Sequence, residues 1–334
     1  PKTLEFSRTL AAIMKERLCY PKIHTLDLDA VSNRIDQLTE TNKAPRPGSC
    51  ILFLLPTHNH IISDRVKELW QSLEMLGVPF RRAYADDPFR FSVPDQAASI
   101  IEACDGISHV SSQRLGPADV WSIGVDIGHD RLLRESRLCT SIVDPDGQLR
   151  CAWVATQKLD ETPSNKMLAE LLTACKNFLV AIDTSPNIVV LRDGRLFENE
   201  RAETYFEVLG QKVTLLEVRK RGNPQIVLGE QLPKISDSIS AGLVEGENTL
   251  FWSPKSPGRT NALPQIFKTS WRDEWNQLKA SHSEIAHYLI ASTTTPGLGL
   301  RPRNLPGPIY WADGIAKTSA EDLRFRGQRV TRLS

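Results

Sequence analysis

Three aspartates in this sequence stand where an apolar run ends or a helix-like run begins. Asp126 follows Trp121-Ser-Ile-Gly-Val and precedes Ile127-Gly-His129-Asp130. Asp193 follows Asn187-Ile-Val-Val-Leu-Arg and precedes Gly194. Asp313 sits in Trp311-Ala-Asp313-Gly-Ile-Ala-Lys317. Carboxylates are the ligands that hard divalent ions such as Mg²⁺ and Mn²⁺ prefer. If the three converge, they suit two-metal hydrolysis of a phosphodiester, in which ions about 4 Å apart hold the attacking and leaving oxygens. Spacing alone does not bring them together, and an Asp at a strand end is more often a turn or helix-cap residue than a ligand.

The elements that must position these acids read as follows. After Asp126, Gly128 reads as a turn signal, since glycine permits backbone paths that a Cβ resists. Residues 138–143 and 149–155 are strand-like and flank Asp144-Pro-Asp-Gly147, whose Asp-Gly pair reads as a hairpin turn. Residues 164–179 have the period of an amphipathic helix, with Met167, Leu168, Leu171, Leu172 and Phe178 as the apolar set. A helix over 197–209, a strand over 212–221 and two short strands within 243–252 follow. Residues 271–291 read as a long helix interrupted or bent near Ser281, and 305–310 as a break before a last helix that begins at Trp311. Upstream, residues 50–56 form an apolar run suited to a buried parallel strand. Residues 63–76 read as a helix closed by Gly77, 78–85 as a second strand and 94–104 as a second helix. Strand, helix, strand, helix argues a small parallel α/β domain, whose ligands favour the carboxyl ends of the strands. Arg65, Lys67, Arg81, Arg82, Arg90 and Arg114 are the cations available there. Residues 1–48 hold two helix-like runs, 7–17 and 27–41, and no chemistry.

Composition sets the bounds. The 334 residues suffice for two cores of ordinary size. Basic and acidic residues nearly balance, 41 against 40, so a nucleic acid would be attracted by local clefts and not by net charge. The six cysteines, at 19, 50, 104, 139, 151 and 175, show no metal-binding spacing and suit reduced thiols in a cytoplasmic protein. No signal peptide or membrane-spanning run is expected. The chain opens at Pro1 without a Met, which fits a fragment, a processed product or one part of a larger machine.

A short apolar strand that carries an acid and then two antiparallel strands is how a ribonuclease H-like domain begins. From about residue 49 onward the chain resembles the MID and PIWI domains of the Argonaute family. Gly124-Val-Asp126-Ile-Gly-His129 is similar to the first PIWI strand. Val190-Leu-Arg-Asp193-Gly194 resembles the family's Tyr-Arg-Asp-Gly stretch, and Pro308-Ile-Tyr-Trp-Ala-Asp313 its closing Pro-x-Tyr-Tyr-Ala-(His/Asp) stretch. Leu115-Gly116 resembles the interdomain hinge, with Pro117 in place of the second glycine. The fold class this implies is α/β: a helical connector over 1–48, a small parallel Rossmann-like MID domain over 49–118 that binds the guide 5′ end, and a ribonuclease H-like PIWI domain with a mixed sheet over 119–334.

The resemblance also implies roles. Asp126, Asp193 and Asp313 would bind Mg²⁺ or Mn²⁺. Glu161, 32 residues before Asp193, stands where the family places its fourth acid, the glutamate finger; Asp160 is its nearer rival, Glu170 fits worse, and a loop acid favoured by the helix dipole is the plain alternative. His129 is either near a phosphate or a satisfied structural histidine. The guide 5′-end pocket departs from the family's Tyr-x-x-x-Lys pattern, for the stretch here is Ser63-Asp-Arg-Val-Lys67. Lys67, Arg81 and Arg114 still make an anion site, while the missing tyrosine leaves 5′-phosphate and 5′-hydroxyl guides both open. The implied function is binding of a guide and a complementary target strand with metal-dependent cleavage of the target. A non-cleaving module that signals to a partner effector, and an unguided ribonuclease H-like nuclease, are the alternatives. An effector or an N-terminal or PAZ-like partner would complete the assembly.

Overall fold

The computed structural model describes residues 8–10, 12, 27–41, 50–55, 63–75, 80–84, 97, 100–101, 114–130, 134–158, 163–196, 200–210, 212–220, 223, 241–244, 248–253, 266–293, 305–317 and 330–332. They fall into two compact units, one made by residues up to 101 and one from 114 onward.

The first unit contains α1 (Leu28–Thr41), β1 (Ile51–Leu55), α2 (Asp64–Met75) and β2 (Phe80–Tyr84). β1 and β2 pair in parallel, Ile51 opposite Phe80 through Leu55 opposite Tyr84. A parallel pair needs a crossover, and α2 supplies it. Its apolar stripe, Val66, Leu69, Trp70 and Leu73, is buried. The Trp70 ring stacks on Phe80 at 6.1 Å, and Phe53 meets both edge-on. Here the strand–helix–strand expectation holds. Of the second helix expected at 94–104, only residues 97 and 100–101 are described, all helical.

The second unit is built on one mixed sheet. Its elements are β3 (Arg114–Leu115), β4 (Ala118–Asp119), β5 (Trp121–Asp130), β6 (Glu135–Val143), β7 (Leu149–Lys158), α3 (Asn165–Ile182), β8 (Ile188–Asp193), α4 (Ala202–Leu209), β9 (Val213–Arg219), β10 (Ala241–Val244), β11 (Thr249–Ser253), β12 (Phe267–Ser270), a 3₁₀ turn at Asp273–Trp275, α5 (His282–Thr293), α6 (Gly307–Lys317) and β13 (Val330–Arg332). The strand order is β10-β11-β12-β9-β8-β5-β6-β7-β13. β8 runs parallel to both β5 and β9, while β5, β6 and β7 form an antiparallel meander. The β6–β7 turn is the Asp144–Gly147 segment: the Asp144 carboxylate accepts from the backbone N–H groups of Asp146 and Gln148, and Gly147 takes φ +83°.

The register assigns the two faces of β5. Val125 lies opposite Thr140, and Thr140 Oγ1 is met by Cys175 of α3. The odd-numbered face therefore carries α3, whose Leu168, Leu171, Leu172, Cys175 and Leu179 are buried. Ser164 caps that helix, its hydroxyl accepting from Met167 N–H at 3.2 Å. The even-numbered face carries α6 and α5. Ser141, opposite Gly124, donates to the Pro308 carbonyl at 2.7 Å, and Tyr288 of α5 donates to Ser122.

Three expectations change. Gly128 is not at a turn: β5 continues to Asp130, and Gly128 pairs with Arg137. The segment 305–310 is not a break, because α6 starts at Gly307; a proline in the first helical turn sacrifices no intrahelical bond. The element at 271–291 is interrupted at Ser281 as expected, but the part before it is a 3₁₀ turn and not a helix, and α5 starts at His282. Among the described residues no helix is long and apolar enough to cross a membrane.

Candidate metal centre

Asp126 lies in the middle of β5, on the even-numbered face. The parallel register Val125–Arg192 places the next residue of each strand, Asp126 and Asp193, side by side on that face. Asp193 is the last residue of β8, and Gly194 behind it turns the chain at φ +86°, where glycine alone is unstrained. Asp313 arrives from α6. That helix comes close enough because β5 offers two glycines on the facing side. A Cβ on Gly124 would fall far inside contact distance of the Pro308 carbonyl, and one on Gly128 would do so with the Ala316 carbonyl. The glycines bracket Asp126 in sequence and seat the helix that bears Asp313.

These three elements bring the three acids together. One oxygen from each of Asp126, Asp193 and Asp313 lies within 4.8 Å of the other two, a set that could hold a metal ion. All donors are carboxylate oxygens, the type that Mg²⁺ and Mn²⁺ take, so the residues present fit such an ion. Asp126 is 5 % exposed; the other two are partly exposed. Burial, then the neighbouring Asp193 carboxylate, pushes the Asp126 carboxyl well above the ordinary carboxylate range.

The geometry adds a residue that sequence reasoning missed. Lys220, just past the end of β9, places its ammonium between two of the acids. It pairs with Asp193 Oδ2 and lies 2.5 Å from Asp313 Oδ1. Burial alone would lower the Lys220 pKa, but Asp193 and Asp126 outweigh it and hold the group charged. Lys317, one helical turn beyond Asp313, reaches the same Oδ1 at 2.6 Å. For Asp313, burial works upward, yet the hydrogen bonds from Lys220 and Lys317 keep its carboxyl below the usual range. The signal for Lys220 was the basic run Arg219-Lys220-Arg221 at a strand end, but only the pairing of β9 with β8 shows what it faces.

On the other face of the sheet Arg192 is fully buried in a bidentate pair with Glu200, Nε–Oε1 2.8 Å and Nη2–Oε2 3.1 Å, and Tyr205 donates to Glu200 at 2.6 Å. Arg192 also donates to the Asp193 carbonyl. This closed ion pair ties the backbone under Asp193 to α4. The sequence held a hint, since an arginine inside an apolar strand needs a buried partner.

The other expected site residues are not part of this three-acid set or lie outside the described residues. Glu161 and its rival Asp160 lie outside the described residues. His129 is exposed, with Nδ1 2.9 Å from Ser136 Oγ, which fits the structural role. Lys67 pairs with Asp64 at 3.0 Å in the first unit, and Arg114 with Asp119 at 2.7 Å in the second; both are exposed. Arg81 lies on β2, and its side chain is outside the described residues.

No protein-family model matches the chain. Two curated proteins are similar in sequence. Protein argonaute of Marinitoga piezophila is 32% identical over 107 residues, which is 30% of this chain and 16% of that protein. Protein argonaute of Aquifex aeolicus is 25% identical over 188 residues, 54% of this chain and 26% of that protein. The folds of the same two proteins are similar as well. The crystal structure of the Aquifex aeolicus Argonaute has a TM-score of 0.61 at 18% identity, covering 94% of this chain and 45% of that one. The Marinitoga piezophila Argonaute in complex with 5′ OH guide RNA has a TM-score of 0.58 at 18% identity, covering 83% and 42%; it has also been solved with 5′ OH guide RNA and target DNA. The chain spans less than half the length of these relatives.

Proposed function

We propose that the chain, which is similar in sequence and fold to prokaryotic Argonautes, holds a guide strand, pairs a target to it, and cleaves the target at a divalent-metal centre on Asp126, Asp193 and Asp313. The observation that carries this is the convergence of the three carboxylates on an Argonaute-like sheet. A divalent ion bound there supplies the Lewis acidity that phosphodiester hydrolysis requires. The chain's own part is to hold that ion through the three aspartates, to fix Asp313 through α6, and to present the exposed Lys317 ammonium toward incoming phosphate. Glu161 is proposed as the fourth acid, delivered from the segment ahead of α3 when a guide–target duplex is in place.

The guide 5′ end is assigned to residues 49–118, with Lys67, Arg81 and Arg114 as its cations, and the catalytic part to 119–334, behind a connector over 1–48. Sequence recognition then lies in base pairing, the protein contacting mostly backbone. An RNA guide with a 5′-hydroxyl is the first to test, because the Marinitoga relative was solved with one.

The test is direct. The full chain, loaded with a synthetic guide, should cut a labelled complementary strand in Mg²⁺ or Mn²⁺. Asp193→Asn should abolish cleavage and keep duplex binding. Glu161→Gln should also keep binding and lose most of the rate, as a group used in the transition state does, while Asp160→Asn should matter much less. Full-rate cleavage by Glu161→Gln would discard the finger assignment. The second reading, a binding module that signals to a partner, is favoured by one observation: Lys220 already supplies a cation to the acids. Duplex binding without cleavage, over all DNA and RNA pairings and both ions, would select it.

A further inference from the structure

We propose that Arg192, Glu200 and Tyr205 are positioning residues for the metal centre: from the far face of the sheet they fix Asp193 where β5 and β8 part, and so set how tightly the three aspartates bind a divalent ion. The proposal rests on the metal-dependent reading above and adds to it what holds one of the three ligands in place.

The backbone shows why an anchor is needed. The β5–β8 ladder ends at the pair Val125–Arg192, one residue short of the two acids. On the β9 side the ladder goes further, with Gly194 N–H donating to the Val218 carbonyl at 2.8 Å. The main-chain groups of successive strand residues point alternately to the two neighbouring strands. The Asp193 carbonyl therefore points toward β5, where pairing has stopped. The next donor in line on β5 is Ile127 N–H, and it donates to Asp126 Oδ1 at 2.9 Å. The Asp193 carbonyl accepts from the Arg192 guanidinium. A side-chain hydrogen bond thus satisfies a main-chain acceptor at the point where the ladder stops, directly behind the ligand.

That guanidinium is itself fixed. Arg192 and Glu200 pair at 2.8 Å and 3.1 Å, and their side chains are 1% and 0% exposed. Tyr205 on α4 donates to Glu200 Oε1 at 2.6 Å. Arg201, the next residue after Glu200, donates its backbone N–H to Asn165 at the start of α3 at 3.2 Å. The anchor is rooted in both helices of this face. A bidentate arginine–carboxylate pair is directional as well as strong. Stability is a weak reason for such a pair, because well-packed apolar residues often replace buried ions without loss of stability. What apolar residues do not reproduce is the directed bond to the Asp193 carbonyl. Groups behind a metal ligand that orient it commonly change metal affinity by about ten- to a hundredfold when removed.

The experiment is Mn²⁺ binding to the full chain without nucleic acid, followed by electron paramagnetic resonance, with thermal melts of the same proteins. The triple variant Arg192→Met/Glu200→Leu/Tyr205→Phe replaces the whole polar group by apolar side chains and should still melt cooperatively. It should bind Mn²⁺ at least about tenfold more weakly than wild type. The spectrum of its bound Mn²⁺ should be broader, since the ligands are held less uniformly. Tyr205→Phe removes one hydroxyl and should shift affinity in the same direction by a smaller factor. Asp193→Asn should bind far more weakly than either, which places the ion on this cluster. Affinity and spectrum equal to wild type in a folded triple variant would make the three residues purely structural. That result would overturn the proposal and leave the metal reading intact. If the triple variant does not fold, Tyr205→Phe decides, and wild-type affinity in that variant overturns the proposal. Absence of Mn²⁺ binding by wild type would overturn the metal reading and this proposal with it.

Discussion

Asp126 is held at an energetic cost, and that cost is measurable. Its carboxyl is buried beside a second carboxylate, so the folded protein binds a proton at Asp126 more tightly than the unfolded chain does. For an acid whose folded pKa is raised, stability falls as pH climbs from the ordinary carboxylate range through the raised value, and stays reduced above it. Asp126→Asn removes that penalty. In metal-free protein at pH 7 the variant should be more stable than wild type and melt at a higher temperature. The gain should vanish below about pH 4, where both states of the wild type are protonated. Adding Mn²⁺ should raise the wild-type Tm and leave the variant's nearly unmoved. Calorimetry across pH checks both. A variant no more stable than wild type at pH 7 would say that Lys220 already compensates Asp126 in full. Asp126 was legible in the sequence because an acid among β residues is a local pattern. Its depth and its proximity to Asp193 were not, because both depend on which strand lies next to β5.

The element that completes the site is α6, and two glycines of β5 govern its seat. Gly124 and Gly128 have ordinary backbone conformations; what they exclude is a side chain, because the backbone of α6 lies against them. Gly194 is the contrasting case, with φ +86° and nothing within reach of a Cβ. The two kinds should respond differently. Gly128→Ala should destabilise by about 1–3 kcal/mol through overpacking and, by shifting α6 and Asp313, weaken Mn²⁺ binding. Gly194→Ala should cost about 1–2 kcal/mol in backbone strain, with α6 left in place. Denaturant melts and Mn²⁺ titration of the pair would separate them. Equal metal affinity in Gly128→Ala and wild type would remove α6 docking from the account of the site. The sequence showed Gly128 but attached the wrong reason to it. A turn glycine and a contact glycine look alike until the partner is known, and α6 comes more than 170 residues later. Its start was obscured by Pro308, which reads as a breaker although the first helical turn tolerates it. The β6–β7 hairpin was read correctly because Asp144-Pro-Asp-Gly147 and the flanking strands are contiguous in the chain.

At the scale of the whole molecule the decisive quantity is how little net charge it carries. A formal charge of +1 gives no long-range pull toward a polyanion, so the proposed nucleic-acid binding must draw on a few placed cations. Two of the three proposed for the guide 5′ end sit in exposed ion pairs, Lys67 with Asp64 and Arg114 with Asp119. Exposed pairs of this kind contribute little and are readily exchanged for a phosphate. Arg81 stands on β2, the parallel neighbour of β1. If all three contact guide backbone, Arg81→Ala should weaken guide binding to a similar degree for every guide sequence. It should also reduce the slope of log K against log salt by about one, the change expected for one lost phosphate contact. Filter-binding titrations at several salt concentrations, with two guides of unrelated sequence, measure both. A sequence-dependent loss would make Arg81 a base-reading residue instead. An unchanged slope and affinity would return it to ordinary surface and leave the anchoring of the guide to other residues.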